Sequence, residues 1–228
     1  MAKIGIVAAM ECEIEMFIED FKAKQTENKF ILKGEYCGHE IYLTLCGIGK
    51  VNAAVCAQRL MDYVPLDAII NSGVAGGTSE NLSVCDLVIS NTLTYHDFVP
   101  LSLLDNYSPG TSVFTADKKL IELAKNAAEM LICTGESFKY EVGTVVSGDM
   151  FVEDKKYCVM LREKFGALCT EMEGAAIAHA AILNEVPFVV IRALSDNADG
   201  EADMTFKQMC TIAAKRASYI VKNMISEY

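Results

Sequence analysis

A chain of 228 residues, 52% apolar and only 22% charged, is long enough to bury a large core within one domain and too apolar to stay disordered. Its 31 acidic and 20 basic residues give a net charge of −11, which opposes phosphate backbones and anionic lipid and argues against nucleic acid and membrane surfaces as partners. No stretch reaches the ~18 consecutive apolar residues of a membrane span. The run Ile4 to Met10 is too short, and too acidic at its end, for a signal peptide, so a cytoplasmic location is expected.

In chain order, short β-branched runs alternate with helical patterns. IGIVAA (4–9) reads as a strand, followed by a helix to about Phe21. KFILKGEY, CGHE and IYLTLC (41–46) read as an antiparallel hairpin, and Lys50 to Tyr63 as the next helix. AIINSGV (68–74), DLVIS (86–90), VGTVVS (142–147) and FVVIRAL (188–194) are further strands, and 117–131, 153–165, 172–184 and 204–226 further helices. Aromatics are only 8% and Trp is absent, so the apolar content is mostly Ala, Val, Ile and Leu, as in strands covered by helices on both faces. The expectation is an α/β fold with a mixed sheet, forming one domain over residues 1–228. Asp97 to Ser112 is the one long segment without periodicity, and loops of that length are usually functional. The nine Cys residues are odd in number, scattered and without a C-x-x-C pair, which points to reduced buried thiols rather than disulfides or zinc.

In open α/β sheets ligands bind beyond the carboxyl ends of the strands, so the residues just after each apolar run carry the chemistry. After the first strand come Met10, Glu11, Cys12 and Glu13; acidic residues in a first helical turn also suit the macrodipole, and position alone does not separate Glu13 from Glu11 and Glu15. Gly47-Ile48-Gly49-Lys50 lacks the third glycine of a dinucleotide fingerprint and the Ser or Thr of a P-loop, so neither nucleotide cofactor is supported, and a tight turn explains it as well as ligand contact. Asn71-Ser72-Gly73-Val74-Ala75-Gly76-Gly77 is rich enough in glycine to expose backbone N–H groups to a ligand as a nest.

Two later segments are sharper. Thr170-Glu171-Met172-Glu173-Gly174 sets two carboxylates at a helix start. Arg192 lies inside an apolar strand and needs a partner, for which Glu173 or Glu13 is available, because an unpaired buried charge is prohibitive. Ser195 and Asp196 follow that strand, where helix capping is the competing explanation. His39, His96 and His179 show no metal-ligand spacing, and Ser147 in VVSGD is not a G-x-S-x-G elbow. Carboxylates, one arginine, glycine-rich backbone and the aromatic Phe151 suit a polyol such as ribose, with proton transfer to a leaving group.

In this order, GIVAAMECE, GIGKVNAA, NSGVAGG, YHD, VVSGDMFV, TEMEGAAIAHA and VPFVVIRALSDNAD resemble the 5′-methylthioadenosine/S-adenosylhomocysteine nucleosidases of the nucleoside phosphorylase superfamily. The resemblance runs from about Ile4 to Phe206. It implies a three-layer αβα sandwich around a central mixed, twisted sheet, commonly a homodimer, that hydrolyses the N-glycosidic bond of adenine nucleosides without metal or cofactor. It implies that Asp196 protonates N7 of adenine with help from Ser195, and that Glu13 activates the attacking water. Glu173 would hold the ribose 2′ and 3′ hydroxyls, Met172 would pack beneath the sugar, and Arg192 would lie near the water and ribose. Phe151 would stack on adenine, the Val152 backbone would read its edge, and Met10, Ile48 and Phe206 would line the pocket for the 5′ group.

Two positions depart from the family pattern. Val74 stands where a Ser or Thr usually touches the water, and FVPLSLLDNYSPG replaces a segment that normally helps to close the 5′ pocket, in part across the dimer. Superfamily phosphorylases bind phosphate with arginines that AAMECE and NSGVAGG lack, so hydrolysis is expected over phosphorolysis. The alternatives are a nucleosidase for a futalosine-type compound, a purine nucleoside phosphorylase, and a nucleoside-binding protein without catalysis.

Overall fold

Residues 4–8 and 68–71 are buried without interruption, as strands must be when helices cover both faces of their sheet. The computed structural model describes residues 1–196 and 206–228, with the backbone alone at 196, 206 and 207. Its strands are β1 (Lys3–Ala8), β2 (Lys24–Gln25), β3 (Leu32–Tyr36), β4 (His39–Leu45), β5 (Ala68–Gly77), β6 (Leu87–Tyr95), β7 (Phe114–Thr115), β8 (Tyr140–Ser147), β9 (Ala167–Glu171) and β10 (Phe188–Asp196). The helices are α1 (Glu11–Asp20), α2 (Lys50–Tyr63), α3 (Ser102–Asn106), α4 (Lys118–Cys133), α5 (Lys155–Phe165), α6 (Gly174–Leu183) and α7 (Phe206–Ser226).

The strands form one mixed sheet. β1 runs parallel to β4 and β5, β5 parallel to β10, and β8 parallel to β6 and β9. β6 and β10 are antiparallel, and β3 and β4 make the hairpin expected from the sequence. Five strands close on themselves in the order β10, β6, β8, β9, β5 and back to β10, because the end of β5 pairs with β9 on one edge while its length pairs with β10 on the other. Helices α1, α4 and α7 pack together on one side of the sheet and α2 with α6 on the other, which makes the three layers. α6 is apolar all round because it is buried between α2 and the strands. Local chemistry sets the other helix ends: the Asp117 carboxylate accepts from Leu120 N at 3.0 Å to start α4, and α5 stops at the left-handed Gly166.

Strand β9 was not evident from the sequence. It has only five residues, lies between β8 along one edge and the end of β5 on the other, and is buried at four of its five positions, so neither length nor alternation announces it. The glycine-rich stretch after Ile70 continues β5 to Gly77 and forms no nest. The carboxyl ends of β1, β4, β5, β8, β9 and β10 converge, and the loops leaving them bound a single cleft.

Candidate active site

The cleft encloses about 690 Å³ counting the space open to solvent. Met10, Glu13, Ile48, Val74, Phe151, Val152, Met172, Glu173 and Ser195, each singled out from the sequence, line it. Ala9, Ala75, Gly76, Met150, Thr170 and Glu171 complete the wall. The side chains of Asp196 and Phe206 lie outside the described residues; the backbone of Asp196 pairs with Gly76 at the end of β10.

Glu13 is 4% exposed, whereas Glu11 and Glu15 on the same helix face solvent. Its Oε2 accepts from the N–H groups of Ala9 and Met10, and its Oε1 from Val74 N, each at 2.9 Å. One carboxylate thus caps α1 and crosses to β5. Burial pushes its pKa up, while the Arg192 guanidinium and the three amides pull it back. Gly73 permits this approach: a Cβ there would overlap Glu13 Oε1 and lie 2.5 Å from Arg192 Nη1. The role of this glycine is therefore close packing of charged groups rather than a nest.

Arg192, 1% exposed, sits behind the cleft wall rather than in it. Its hydrogen-bonded partner is Glu171, which the sequence did not single out, and Glu173, one of the two expected partners, makes a longer ion pair: Nη2 donates to Glu171 Oε2 and, at 2.5 Å, to Asn71 Oδ1, and lies 3.8 Å from Glu173 Oε2. β9 places Glu171 directly on the guanidinium, and Glu173, beyond the strand, turns toward the cleft. Asn71 in turn donates to Val7 O at 2.9 Å, and Ser147 Oγ donates to Glu171 Oε1 while accepting from Ala175 N at 2.7 Å. Glu171 Oε2 also accepts from the N–H groups of Glu173 and Gly174. The chain Ser147, Glu171, Arg192, Asn71 thus ties the ends of β8 and β9 through the interior of β10 and β5 to β1. Burial alone would lower the Arg192 pKa, but Glu171, Glu13 and Glu173 hold it above its ordinary value and charged.

Glu173 is 6% exposed, with Oε1 accepting from Gly49 N at 2.9 Å. Burial, and then the negative charge of Glu171, push its pKa up to about 7 against the pull of Arg192. Ser195 is the extra residue of a β-bulge between Leu194 and Asp196, with Oγ 3.4 Å from Ala75 O; it lines the cleft and caps no described helix. Ile48, Met150 and Phe151 stand at the mouth, 55%, 42% and 56% exposed. No residue from Phe98 to Gly110 lines this cleft, so the atypical segment does not close the pocket of its own chain. Among the described residues no group of His, Cys, Asp and Glu is arranged to hold a metal ion, and no helix is long and apolar enough to cross a membrane.

The family model described as the Phosphorylase superfamily matches residues 3–226. A 5′-methylthioadenosine/S-adenosylhomocysteine nucleosidase of Haemophilus influenzae (strain 86-028NP) is 38% identical over 233 residues, covering 98% of both chains. The chain belongs to the 5′-methylthioadenosine/S-adenosylhomocysteine nucleosidase family. The Neisseria meningitidis nucleosidase solved in complex with methylthio-immucillin-A superposes with a TM-score of 0.88 at 35% identity, covering 100% of both chains. The futalosine hydrolase of Helicobacter pylori superposes with a TM-score of 0.87 at 30% identity, covering 100% of this chain and 98% of its own. The expected fold is thus the one observed, and the shared architecture extends to a hydrolase named for another substrate.

Glu171 and Asn71 were missed as site residues. Two acidic residues two apart in TEMEG signalled a pair of carboxylates, but the division of labour between them depends on where β9 ends.

Proposed function

We propose that this chain, one domain over residues 1–228, hydrolyses the N-glycosidic bond of 5′-methylthioadenosine and S-adenosylhomocysteine to give adenine and the 5′-substituted ribose. The observation that carries the reading is the pair of buried carboxylates that line the cleft together with the aromatic Phe151, Glu13 held by three amides and Glu173 by one. Glu13, acceptor-only when ionised, orients a water and takes its proton as that water attacks C1′. Glu173 accepts the ribose 2′ and 3′ hydroxyls, Met172 packs under the sugar, Phe151 stacks on the purine and the Val152 backbone meets its edge. As the bond from C1′ to N9 breaks, Asp196, positioned with Ser195, delivers a proton to N7 and the base leaves neutral. The sugar passes through an oxocarbenium-like state, as in glycoside cleavage, which nearby carboxylate charge stabilises. Met10, Ile48 and Phe206 receive the 5′ group, and Arg192 acts from behind by fixing Glu171 and biasing Glu13 and Glu173 toward their charged forms.

The test is adenine release from 5′-methylthioadenosine in phosphate-free buffer with a chelator. Strict dependence on phosphate, giving a sugar 1-phosphate, overturns hydrolysis. Because a futalosine hydrolase shares the fold at 30% identity, futalosine belongs in the same assay, and faster release from it would reassign the substrate. Homodimerisation is part of the proposal: Val51, Val55, Val99, Leu103 and Tyr107 expose apolar side chains, a feature of association surfaces. Light scattering should give twice the chain mass.

A further inference from the structure

Outside the cleft, three loops meet in a closed circuit of hydrogen bonds. Lys50 N donates to Asp149 Oδ1 at 2.8 Å, Asp149 N donates to Asp97 Oδ2 at 2.8 Å, and Lys50 Nζ donates to both Asp97 oxygens at 2.6 Å. Lys50 Nζ also lies 3.6 Å from Asp149 Oδ2. Two backbone features adjoin this circuit. Gly49 is left-handed (φ +99°), and a Cβ there would lie 3.2 Å from Asp149 Oδ1. The His96 ring fills the space a Cβ on Gly148 would need, and its Nδ1 is 3.1 Å from Tyr157 Oη on α5. The loop after β6 therefore supports the loop after β8 with both His96 and Asp97.

None of Lys50, Asp97 and Asp149 lines the cleft, yet two of the loops they join supply part of its wall. The loop after β4 holds Ile48 and Gly49, whose N–H anchors Glu173; the loop after β8 holds Met150, Phe151 and Val152. We infer that Lys50, Asp97 and Asp149 form a clasp of positioning residues that fixes the purine-stacking loop relative to the Glu173 anchor. The clasp rests on the nucleosidase reading for what is bound, not for its existence. The Lys50 and Asp97 side chains are 21% and 25% exposed, between an open surface pair and a buried one, so loss of the clasp should cost a modest part of the stability and be felt mainly in substrate alignment.

Lys50→Met keeps the aliphatic stem and removes the charge. With 5′-methylthioadenosine it should lower kcat/KM about tenfold, an ångström-scale misplacement being enough for such a loss, with KM raised and Tm within about 4 °C of wild type. Lys50→Arg should restore most of the loss, and Lys50→Met combined with Phe151→Ala should lose less than the product of the single losses, because both act through one loop. Peptides covering 47–50 and 148–152 should exchange amide hydrogens faster in Lys50→Met, with those of β5 unchanged. An unchanged KM, no rescue by arginine, multiplicative losses or unaltered exchange would each overturn the clasp. If the wild type releases no adenine, the nucleosidase reading fails, and the exchange measurement decides the clasp by itself.

Discussion

The floor of the cleft and its mouth are built on opposite plans. At the floor, Glu13, Glu171, Glu173 and Arg192 are each at most 7% exposed and are held by strand ends, backbone amides and one another. At the mouth, Ile48, Met150 and Phe151 are apolar and open, and the neighbouring segment from Phe98 to Gly110 carries only the five-residue helix α3. Buried charges tolerate displacement poorly because each depends on partners that water cannot replace. Open apolar groups exchange one contact for another at small cost. The floor should therefore govern whether the bond breaks, and the mouth which 5′ group is accepted.

The strongest test of this division removes chemistry from the floor without removing volume. Glu13→Gln and Asp196→Asn should each reduce kcat by at least ~10²-fold, the lower range for a positioned acid or base, with the circular dichroism of the folded protein retained. A loss of less than about tenfold in Asp196→Asn would sink its role as general acid. Next comes Gly73→Ala, whose new methyl would meet Glu13 Oε1 and Arg192 Nη1. Since both groups are buried and held, the carboxylate must shift, and kcat should fall about 10²-fold. Near-wild-type turnover would mean that the floor is far more compliant than its bonding implies.

A third effect is set by pH. In the role proposed for it Glu173 accepts hydroxyls, which it does best as a carboxylate, and its pKa stands at about 7 rather than the ordinary 4.5. kcat/KM should therefore drop as pH falls through about 7. Stability should move the other way. A folded pKa above the unfolded one means that the folded state binds the proton more tightly, so this group's contribution is fully present below 4.5 and is lost as pH rises through about 7. Rate and Tm measured against pH on wild type and Glu173→Gln check both halves; a variant that keeps both slopes assigns them to another group.

The same contrast explains what was legible in the sequence. The hairpin of β3 and β4, the helices α2, α4 and α7, and the strands β1 and β5 declared themselves through periodicity, and the ordered motifs pointed to nine of the cleft-lining residues. The identity of Arg192's partner did not, because it turns on β9, a strand too short to show a period. Helical position did not separate Glu13 from Glu11 either, since what buries Glu13 is space provided at Gly73, 60 residues away. Gly73 was visible as a glycine, but its purpose, room for two opposite charges, is a property of the packed sheet. The segment after Asp97 stood out as unusual, yet its residues from Phe98 to Gly110 line none of this cleft.

The smallest effects belong to the apolar rim and to Val74, and they sharpen the comparison most because the two predictions separate. Met10, Ile48, Met150 and Phe151 line the mouth, and among the described residues no Lys or Arg lines the cleft. A methylthio group needs only such surface, whereas the zwitterionic homocysteine tail must exchange water for polar partners, so kcat/KM should favour 5′-methylthioadenosine over S-adenosylhomocysteine by about tenfold, a difference near 1.4 kcal/mol. Val74 lies on the other side of the division. Its N–H already donates to Glu13, and its side chain lines the cleft half-buried, so Val74→Ser adds a hydroxyl beside the carboxylate proposed to activate water. One further hydrogen bond of about 1 kcal/mol, if made to the attacking water, raises kcat about fivefold. Because that gain arises at the floor, the ratio between the two substrates should stay unchanged in Val74→Ser. Steady-state kinetics of both substrates on both proteins decide it. Equal or reversed preference in the wild type refutes the apolar rim, an unchanged or lower kcat in the variant refutes the water argument, and a rise confined to one substrate would show that floor and mouth are not separate.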